Sequence, residues 1–271
     1  MTMSKSMPVT EHKDKPVVVI KLGGSMLDQL TGDFYDSFKE LIDHYHCIIV
    51  HGGGPAISRL LDRLRIEGVF YDGLRKTTAE TLEVVEMTLG GTVNGHITSK
   101  LSERGLLPLG IKGSDAGLLK ATIIDQERLG YVGEVSHVQP DVIHHCLQAG
   151  YTPVIAPLGK TESGQTVNIN ADVSAAAIAK AIGAEKLLFV TDVPGILRQG
   201  ELIEETTPEE IASLIERGWI YGGMIPKVQS ATQALSERLE EVMIVSGDRP
   251  LIKDQQMVGT TIRMKRKEGV E

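Results

Sequence analysis

The sequence predicts an α/β fold, a three-layer αβα sandwich with a mainly parallel central sheet. Apolar runs and amphipathic stretches alternate along almost all of the 271 residues, which is typical of strands that alternate with covering helices. Two of the apolar runs, residues 17–20 and 47–50, lead directly into glycine turns. Such uninterrupted runs favour strands that are buried on both faces. Glycines at their carboxyl ends let backbone N–H groups approach a bound anion, so we expect a phosphate-handling cleft there.

The individual elements follow from periodicity and from start and stop signals. The predicted strands, each short and apolar, are residues 17–20, 47–50, 108–111, 121–125, 131–138, 152–157, 186–190, 241–245 and 260–264. The predicted helices, each with an apolar stripe or a capping signal, are residues 34–42, 55–64, 77–104, 141–148, 171–182, 226–235 and one that starts at 207. Gly90-Gly91 is a candidate interruption of the third helix, and residues 161–170 are expected to form a hairpin or loop.

Composition and charge limit the kind of protein this is. Residues 1–15 lack the apolar segment of a secretory signal, so we expect a mobile tail followed by one domain, residues 16–271. No linker divides that domain, although two lobes that meet near Gly183 are expected. The net charge of −8 and an aromatic content of 4% argue against a nucleic-acid partner, and no run is long enough to span a membrane. Cys47 and Cys146 have no metal-ligand companions, which indicates free thiols in a cytoplasmic protein.

Several common phosphate-binding and catalytic motifs are absent from the sequence. A Walker A loop is missing, and a dinucleotide fingerprint fails because Ile57 stands where a third glycine should follow Gly52 and Gly54. Protein-kinase signatures, a Gly-x-Ser-x-Gly elbow, His-Glu-x-x-His and Cys-x-x-Cys are also missing. The sequence therefore disfavours P-loop enzymes, triad hydrolases and zinc enzymes, and we expect no metal site built from protein ligands.

Six segments in a fixed order carry a family resemblance that spans the chain from about residue 16 to its end. They are Lys21-Leu22-Gly23-Gly24-Ser25, His51-Gly52-Gly53-Gly54-Pro55, Gly73-Leu74-Arg75-Lys76-Thr77, Asn168-Ile169-Asn170-Ala171-Asp172, Thr191-Asp192-Val193-Pro194-Gly195-Ile196 and Gly222-Gly223-Met224-Ile225-Pro226-Lys227. Together they resemble the amino acid kinase superfamily, and the Gly73–Thr77 segment resembles its acetylglutamate kinase branch in particular. A single segment would be weak evidence, whereas six in order are specific.

The resemblance implies an activity and a division of labour between the lobes. The activity is transfer of the γ-phosphoryl group of ATP to the side-chain carboxylate of N-acetyl-L-glutamate, giving N-acetyl-L-glutamyl 5-phosphate in arginine biosynthesis. The amino-terminal lobe, residues 16–183, would hold the amino acid, and the carboxyl-terminal lobe, residues 184–271, the nucleotide. ATP is expected as its Mg²⁺ complex, with the ion held mainly by the phosphates.

Three charged residues are the catalytic candidates. A glutamate side chain ionises near pH 4.3, at about the pKa of model peptides, so the acceptor needs no general base at pH 7. Catalysis should then depend on positioning and charge neutralisation. By the resemblance, Lys21 and Lys227 flank the transferring phosphoryl group, and Asp172 organises both lysines. Each residue also has a plainer interpretation. Lys21 could be a lysine at a strand end, Lys227 a surface lysine and Asp172 a helix N-cap.

The resemblance also assigns the two binding sites. The acceptor is assigned to Gly53, Gly54, Arg75 and Asn168. The glycines would offer N–H groups, the guanidinium would bind the α-carboxylate through two hydrogen bonds, and the asparagine would bind the acetylamino end or the carboxylate. The nucleotide is assigned to Gly23, Gly24, Asp192, Gly195, Ile196, Trp219 and Tyr221. Trp219 fits ordinary core packing equally well.

Other functions remain open from the sequence. A sibling kinase could act on carrier-linked aminoadipate, aspartate, glutamate, carbamate or UMP, although Arg75 favours an acceptor with a free α-carboxylate. A nucleotide or amino-acid sensor without catalysis is a second alternative, and a dinucleotide oxidoreductase is a third. Residues 1–15 are short and lack a helical apolar stripe, so we expect a homodimer that arginine does not inhibit, rather than a hexamer.

Overall fold

The computed structural model describes residues 15–27, 29–253 and 256–264. Residues 1–14 of the predicted mobile tail therefore lie outside the described residues. Lys15 is described, and its Nζ donates a hydrogen bond to the backbone oxygen of Ile42 at 2.7 Å. The first described residue, Lys15, is therefore hydrogen-bonded to the first helix.

Helices and strands alternate along the chain as predicted. In chain order the helices are α1 (Gly32–His44), α2 (Gly54–Leu64), α3 (Ala79–Met87), α4 (Asn94–Ser102), α5 (Asp141–Gln148), α6 (Ala171–Ile182), α7 (Pro208–Glu216) and α8 (Met224–Ala234). The strands are β1 (Val17–Leu22), β2 (His46–His51), β3 (Phe70–Tyr71), β4 (Leu74–Arg75), β5 (Pro108–Lys112), β6 (Leu119–Ile123), β7 (Val132–Val138), β8 (Thr152–Ala156), β9 (Leu158–Lys160), β10 (Thr166–Ile169), β11 (Lys186–Thr191), β12 (Leu197–Arg198), β13 (Glu201–Leu202), β14 (Glu205–Thr206), β15 (Glu241–Ser246), β16 (Ile252–Lys253), β17 (Gln256–Met257) and β18 (Thr260–Arg263).

The central sheet contains eight strands in the order β14-β18-β15-β11-β1-β2-β8-β5. Neighbouring strands are parallel except β15 and β18, which are antiparallel. The mainly parallel sheet that the alternating pattern predicts is therefore confirmed. Its inner strands are apolar on both faces, as expected for strands covered by helices on both sides.

Alternate residues of β1 contact opposite helix layers, which makes the domain three layers deep. Val19 belongs to a core that includes Ile178 of α6. Its neighbours Val18 and Ile20 belong to the opposite core, together with Phe38 of α1. This alternation follows from the two-residue period of a strand. It gives the αβα sandwich that the sequence predicts.

The helix predicted at residues 77–104 continues across Gly90-Gly91. Helix α3 passes into a π-helical turn, Thr88–Val93, and that turn passes directly into α4. The glycine pair therefore does not interrupt the helix. A π-helical turn is wider than an α-helical turn and bonds residues that are five apart.

Four strands, β6, β7, β9 and β10, close into a small barrel beside the sheet. The strand predicted at residues 152–157 divides here, because β8 stays in the central sheet and β9 enters the barrel after Pro157. Proline has no N–H and cannot extend a ladder of hydrogen bonds. β9 and β10 pair in antiparallel fashion, so the region predicted as a hairpin or loop, residues 161–170, holds the turn and the second strand of a hairpin. β10 leads into α6, so the barrel fixes where that helix begins.

The predicted lobe boundary near Gly183 lies between α6 and β11. Gly183 ends α6 with a φ of 64°, a left-handed conformation that glycine adopts readily. β11 then pairs directly with β1, so the two predicted lobes share one sheet. The assignment of one lobe to the amino acid and the other to the nucleotide stays a prediction.

Candidate active site

Three adjacent strands present their carboxyl ends at one edge of the sheet. β1 lies between β2 and β11, and Lys21 of β1 is in register with Val50 and Phe189. The chain proceeds from β1 to β2 on one side, whereas the later strand β11 lies on the other. Ligands of open α/β sheets bind in the crevice at such a switch point. The two glycine turns and the end of β11 surround this crevice.

The two glycine turns pack against each other without side chains between them. A Cβ atom on Gly24 would lie 2.7 Å from the backbone nitrogen of Gly53 and 2.8 Å from that of Gly54. Within the described residues, neither of these two N–H groups donates to a backbone oxygen. Gly54 and Pro55 begin α2. The N–H groups of a helix start and a glycine turn attract anions, so this contact is a candidate anion site.

Lys21 contacts the amino-terminal end of α6. Its Nζ lies 2.8 Å from Oδ1 of Asp172. That oxygen accepts no hydrogen bond of good angular geometry from the described residues, so the contact is mainly one of opposite charges. The helix cap is Asn170, whose side chain accepts hydrogen bonds from the backbone nitrogens of Asp172 and Val173 at 2.8 and 3.2 Å. Because Asn170 performs the capping, the carboxylate of Asp172 is available to Lys21.

Lys227 has a different carboxylate partner. Its Nζ donates to Oδ1 of Asp192, and Thr191 Oγ1 donates to the same oxygen at 2.8 Å. These two donors, Lys227 first, hold the pKa of Asp192 below its ordinary value. The expectation that Asp172 contacts both lysines is therefore not met in this structure. Both lysines nevertheless line one cavity of about 90 Å³, where their charges would meet an anion.

Arg75 forms one wall of a second cavity of about 180 Å³. Its Nη2 donates to the backbone oxygen of Gly54 at 3.1 Å and to Oγ of Ser58 at 2.8 Å. Its guanidinium carbon lies 4.5 Å from the centre of the Phe70 ring. Nη1 is buried and has no partner within the described residues. Burial lowers the pKa of Arg75, and the carboxylate of Asp62 opposes that change.

Asn168 lines the same cavity and is linked to Arg75 through a threonine. Nδ2 of Asn168 donates to Oγ1 of Thr77 at 3.1 Å, and that hydroxyl donates to the backbone oxygen of Arg75 at 2.9 Å. Gly53 and Gly54 line the cavity as well. The four residues predicted to bind the acceptor therefore lie together around one pocket.

Five of the seven residues predicted to bind the nucleotide line a third cavity of about 340 Å³. They are Asp192, Gly195, Ile196, Trp219 and Tyr221. Lys227 lines this cavity and also the cavity of about 90 Å³ that it shares with Lys21, here called the lysine cavity. The two cavities therefore adjoin. The other two predicted residues lie apart from it: Gly23 lines the lysine cavity, and Gly24 contacts the second glycine turn.

Several residues that shape these cavities escaped the sequence analysis. Ser58, which holds Arg75, lies four residues after Gly54 on α2, so helical spacing could have indicated it. Phe70 lies on a hairpin whose turn, Asp72-Gly73, has φ values of 50° and 81°, and this dipeptide is a strong hairpin signal. Thr260 is fully buried, and its Oγ1 accepts a hydrogen bond from the backbone nitrogen of Ile196 at 2.8 Å. No local signal marks Thr260.

A larger cavity, of about 880 Å³, lies elsewhere. It is lined by residues at the amino ends of β11 and β15, whereas the candidate site lies at the carboxyl ends. Three of its charged groups are paired with one another, because Glu241 contacts both Lys186 and Arg263. None of the residues predicted to bind a substrate lines it. We therefore place the candidate active site at the three smaller cavities.

Comparisons with known proteins agree with this architecture. Residues 16–246 match the family model described as the amino acid kinase family. An acetylglutamate kinase of Geobacillus sp. strain WCH70 is 51% identical over 247 residues, which cover 91% of this chain and 96% of that protein. An acetylglutamate kinase of Geobacillus stearothermophilus is 53% identical with the same coverage.

A solved structure supports the same assignment. A crystal structure of a protein from Streptococcus mutans superposes with a TM-score of 0.79 at 33% identity, covering 91% of this chain and 98% of that one. The predicted fold class and the predicted family resemblance are both confirmed. The chain therefore belongs to the amino acid kinase family and, within it, to the branch of the acetylglutamate kinases.

Proposed function

We propose that this kinase transfers the γ-phosphoryl group of ATP to the side-chain carboxylate of N-acetyl-L-glutamate, releasing N-acetyl-L-glutamyl 5-phosphate and ADP. The observation that carries the proposal is that the Arg75 cavity adjoins the lysine cavity. Consecutive residues connect them, since Ala171 lines the first and Asp172 the second. A dicarboxylate that binds Arg75 at one end can therefore place its other end near Lys21. The names of relatives about 51% identical to this chain favour the same acceptor.

The acceptor end of the site suits an α-carboxylate. Arg75 is only 7% exposed, yet Nη1 has no partner among the described residues. Arg75 also lines the acceptor cavity, and a guanidinium there binds a carboxylate through charge-assisted hydrogen bonds. Ser58 and Gly54 already fix the guanidinium plane through Nη2. This pocket thus favours a substrate with a free α-carboxylate over carbamate or UMP.

The chemical step requires charge neutralisation more than proton transfer. A carboxylate oxygen of the acceptor attacks the γ-phosphorus, the bond to the bridging oxygen of ADP breaks, and no proton moves. Both reactants are anionic at neutral pH, so the barrier contains their repulsion. Lys21 and Lys227 both line the shared cavity and would supply positive charge there. The N–H groups of Gly53 and Gly54 would bind a developing negative oxygen.

We propose that Asp172 organises Lys21 alone in this arrangement. The 2.8 Å contact between them, beside the capped start of α6, holds the lysine at the crevice. Asp192 does the corresponding work for Lys227. Each lysine therefore has its own carboxylate partner, and neither partner needs to act as a base.

The nucleotide would occupy the apolar cavity that Trp219 and Tyr221 border. It is proposed to bind as Mg-ATP, with the ion carried on the phosphates. Among the described residues, no three His, Cys, Asp or Glu side chains are grouped to hold a metal ion. Asp192, at the junction of the nucleotide and lysine cavities, would face the phosphates. This placement supports the proposal that residues 184–271 form the nucleotide lobe.

We also propose a homodimer that works in the cytoplasm in arginine biosynthesis. The edge strand β5 leaves one side of the sheet unpaired, and Leu107 and Leu109 beside it are 58% and 37% exposed. Open edges with apolar side chains favour pairing with another chain. In the described part of the chain, no helix is long and apolar enough to cross a membrane. Sedimentation of the purified protein would test the dimer.

A hydroxylamine trapping assay would test the acceptor directly. The protein is incubated with Mg-ATP, hydroxylamine and, in parallel, N-acetyl-L-glutamate, L-glutamate, L-aspartate and N-acetyl-L-aspartate. Hydroxylamine converts an acyl phosphate into a coloured hydroxamate. Colour with N-acetyl-L-glutamate alone is the expected result. Colour with another acid would move the function to a sibling kinase, and ATP binding without colour would favour a sensor.

A further inference from the structure

A buried histidine–asparagine pair lies directly behind the triglycine turn, Gly52-Gly53-Gly54. His51 ends β2, and Asn94 begins α4; they are 0% and 5% exposed. His51 Nδ1 lies 3.0 Å from the backbone oxygen of Gly52. His51 Nε2 lies 3.1 Å from Nδ2 of Asn94, which also donates to the backbone oxygen of Val154 at 2.9 Å. Neither side chain lines the cavities of the candidate site.

The partners of this pair allow only one protonation pattern. A carbonyl oxygen can only accept, so Nδ1 of His51 carries the proton and donates to Gly52. Nε2 then has a free lone pair, which accepts from the amide of Asn94. A second proton on the ring would face the Asn94 donor. Burial lowers the pKa of His51 to about 4, in keeping with a neutral ring at physiological pH.

The hydrogen bond to Gly52 fixes the direction of the next N–H group. The carbonyl of Gly52 and the N–H of Gly53 belong to one peptide unit, which is planar and trans. The two groups therefore point in opposite directions. While His51 holds the carbonyl on the buried side, the N–H of Gly53 must point away from the histidine, and the Gly53 nitrogen lies beside Gly24.

The π-helical turn explains how Asn94 reaches the histidine. The turn spans Thr88–Val93, and the backbone N–H of Asn94 donates to the carbonyl oxygen of Leu89, five residues earlier. Both side chains face the triglycine turn, since Asn94 bonds to His51 and Leu89 packs against Gly53. A Cβ atom on Gly53 would lie 2.5 Å from Cδ2 of Leu89. The π-helical turn therefore places the apolar side chain of Leu89 against Gly53 and the amide donor of Asn94 against His51.

We propose that His51 and Asn94 are positioning residues that hold the Gly52–Gly53 peptide in the one orientation that aims the Gly53 N–H at the reacting anion. This inference rests on the proposed phosphoryl transfer and adds two residues to its machinery. Neither residue touches the substrate or transfers a proton. They act through the backbone of the turn, so their loss lowers kcat without changing the KM for ATP.

Two substitutions of His51 separate positioning from packing. In His51→Asn the amide nitrogen is as many bonds from Cα as Nδ1, so it can still donate to Gly52. In His51→Gln the amide nitrogen matches Nε2 instead, and the bond to Gly52 is lost. Glutamine fills the space of the histidine better than asparagine does. If packing alone mattered, His51→Gln would therefore have the higher kcat and the higher stability of the two variants. Positioning predicts the reverse for turnover, with kcat of His51→Gln at least about tenfold below that of His51→Asn.

Ser37→Ala is the matched control for loss of a buried hydrogen bond. Ser37 lies on α1, donates to Phe34 and accepts from the backbone of Leu251 at 3.1 Å. We expect this variant to melt at a lower temperature with kcat and both KM values unchanged. Equal kcat values for the two His51 variants, or a higher one for His51→Gln, would overturn the proposal.

Asn94→Leu provides a second test if the His51 variants do not fold. Leucine has the same number and branching of side-chain heavy atoms as asparagine, although it is bulkier, and it has no donor, so the tautomer of His51 is no longer fixed. We expect kcat to fall about tenfold relative to Ser37→Ala, at an unchanged KM for ATP; unchanged kcat would contradict the proposal. The unmodified protein is assayed alongside. If it phosphorylates a different acid, only the proposed acceptor fails, and the variants are compared with that acid.

Discussion

The acceptor side and the nucleotide side of the crevice are built in different ways. On the acceptor side, Arg75 and His51 are 7% and 0% exposed and held by hydrogen bonds to the backbone of the glycine turn. On the nucleotide side, Tyr221 is 75% exposed, and the ion pair of Lys227 with Asp192 is open to solvent. Buried polar groups discriminate strongly because a wrong ligand leaves them unpaired. The molecule therefore places its selectivity at the acceptor and leaves the nucleotide pocket more tolerant.

The largest effect on kcat should come from Lys21, which lines the lysine cavity between the acceptor side and the nucleotide side. Lys21→Ala should lower kcat by about 10³-fold, since it removes a charge that neutralises the transferring group. Steady-state kinetics with Mg-ATP and N-acetyl-L-glutamate would measure this. Lys186→Ala is the matched control, because Lys186 lies on the neighbouring strand but pairs with Glu241 at the other end of the sheet. Normal turnover in Lys21→Ala would refute the proposed chemistry.

Substitution at Arg75 should separate the two sides most clearly. Arg75→Lys keeps the charge but loses the planar fork, so the KM for the acceptor should rise about 100-fold. The KM for ATP should stay within about twofold, because Arg75 does not line the nucleotide cavity. Equal increases in both KM values would contradict the division between the two sides.

The buried histidine on the acceptor side should make stability depend on pH. The pKa of His51 is lowered to about 4 in the folded protein, against about 6.5 when unfolded. Between these values the unfolded chain binds a proton that the folded chain does not, so stability falls as the pH falls. From pH 7 to pH 5 the loss from this group should be about 2 kcal/mol. Urea unfolding at both pH values, with His51→Asn as the variant that lacks this titration, would measure it.

A substitution on the open nucleotide side should have a weaker effect. Tyr221→Ala removes contact area from the nucleotide cavity, so we expect the KM for ATP to rise by about fivefold, within the range of one exposed aromatic contact. The KM for the acceptor should not change. An ATP effect as large as that of Arg75→Lys on the acceptor would show that both sides are equally selective.

The smallest effect should come from the hairpin that covers the acceptor pocket. Nη2 of Arg128 lies 2.8 Å from Oδ2 of Asp72, and the guanidinium stacks over Tyr71 at 5.2 Å. The pair is exposed, so Arg128→Ala should cost under about 1 kcal/mol and raise the acceptor KM about twofold to threefold. Lys100→Ala removes a comparable exposed pair with Glu103 and should leave that KM unchanged.

Features of the fold that depend on local structure could be predicted from the sequence. Alternating apolar runs predicted the strands of the sheet, and the ends of β1, β2 and β11 carry the residues that the motifs indicated. Arg75 and Asn168 are 93 residues apart in sequence yet line one pocket, and only the family resemblance brought them together. Their bonds to each other through Thr77 could not be read from spacing.

Tertiary contacts decided the features that were missed. The predicted strand at residues 152–157 ends at Pro157 because β8 pairs within the central sheet and β9 pairs within the barrel. The sequence of this run alone does not indicate that division. The π-helical turn at Thr88–Val93 continues the helix through both glycines, whereas two adjacent glycines in a helical pattern indicated a possible break. Lys227 was expected beside Asp172, but in the structure it donates to Asp192, whose Oδ1 also accepts a hydrogen bond from Thr191.

Strand β1 lies at the middle of the sheet and contributes alternate side chains to both helix layers. Its neighbour β11 belongs to the other proposed lobe. Separating these two strands would expose Val19 on one side and Ile20 on the other at the same moment. The protein therefore has no layer that can melt while the other survives. A substitution that weakens the packing of either lobe should therefore destabilise the whole domain. A proteolytic cut that separates the lobes would leave two fragments with unpaired strand edges that favour aggregation.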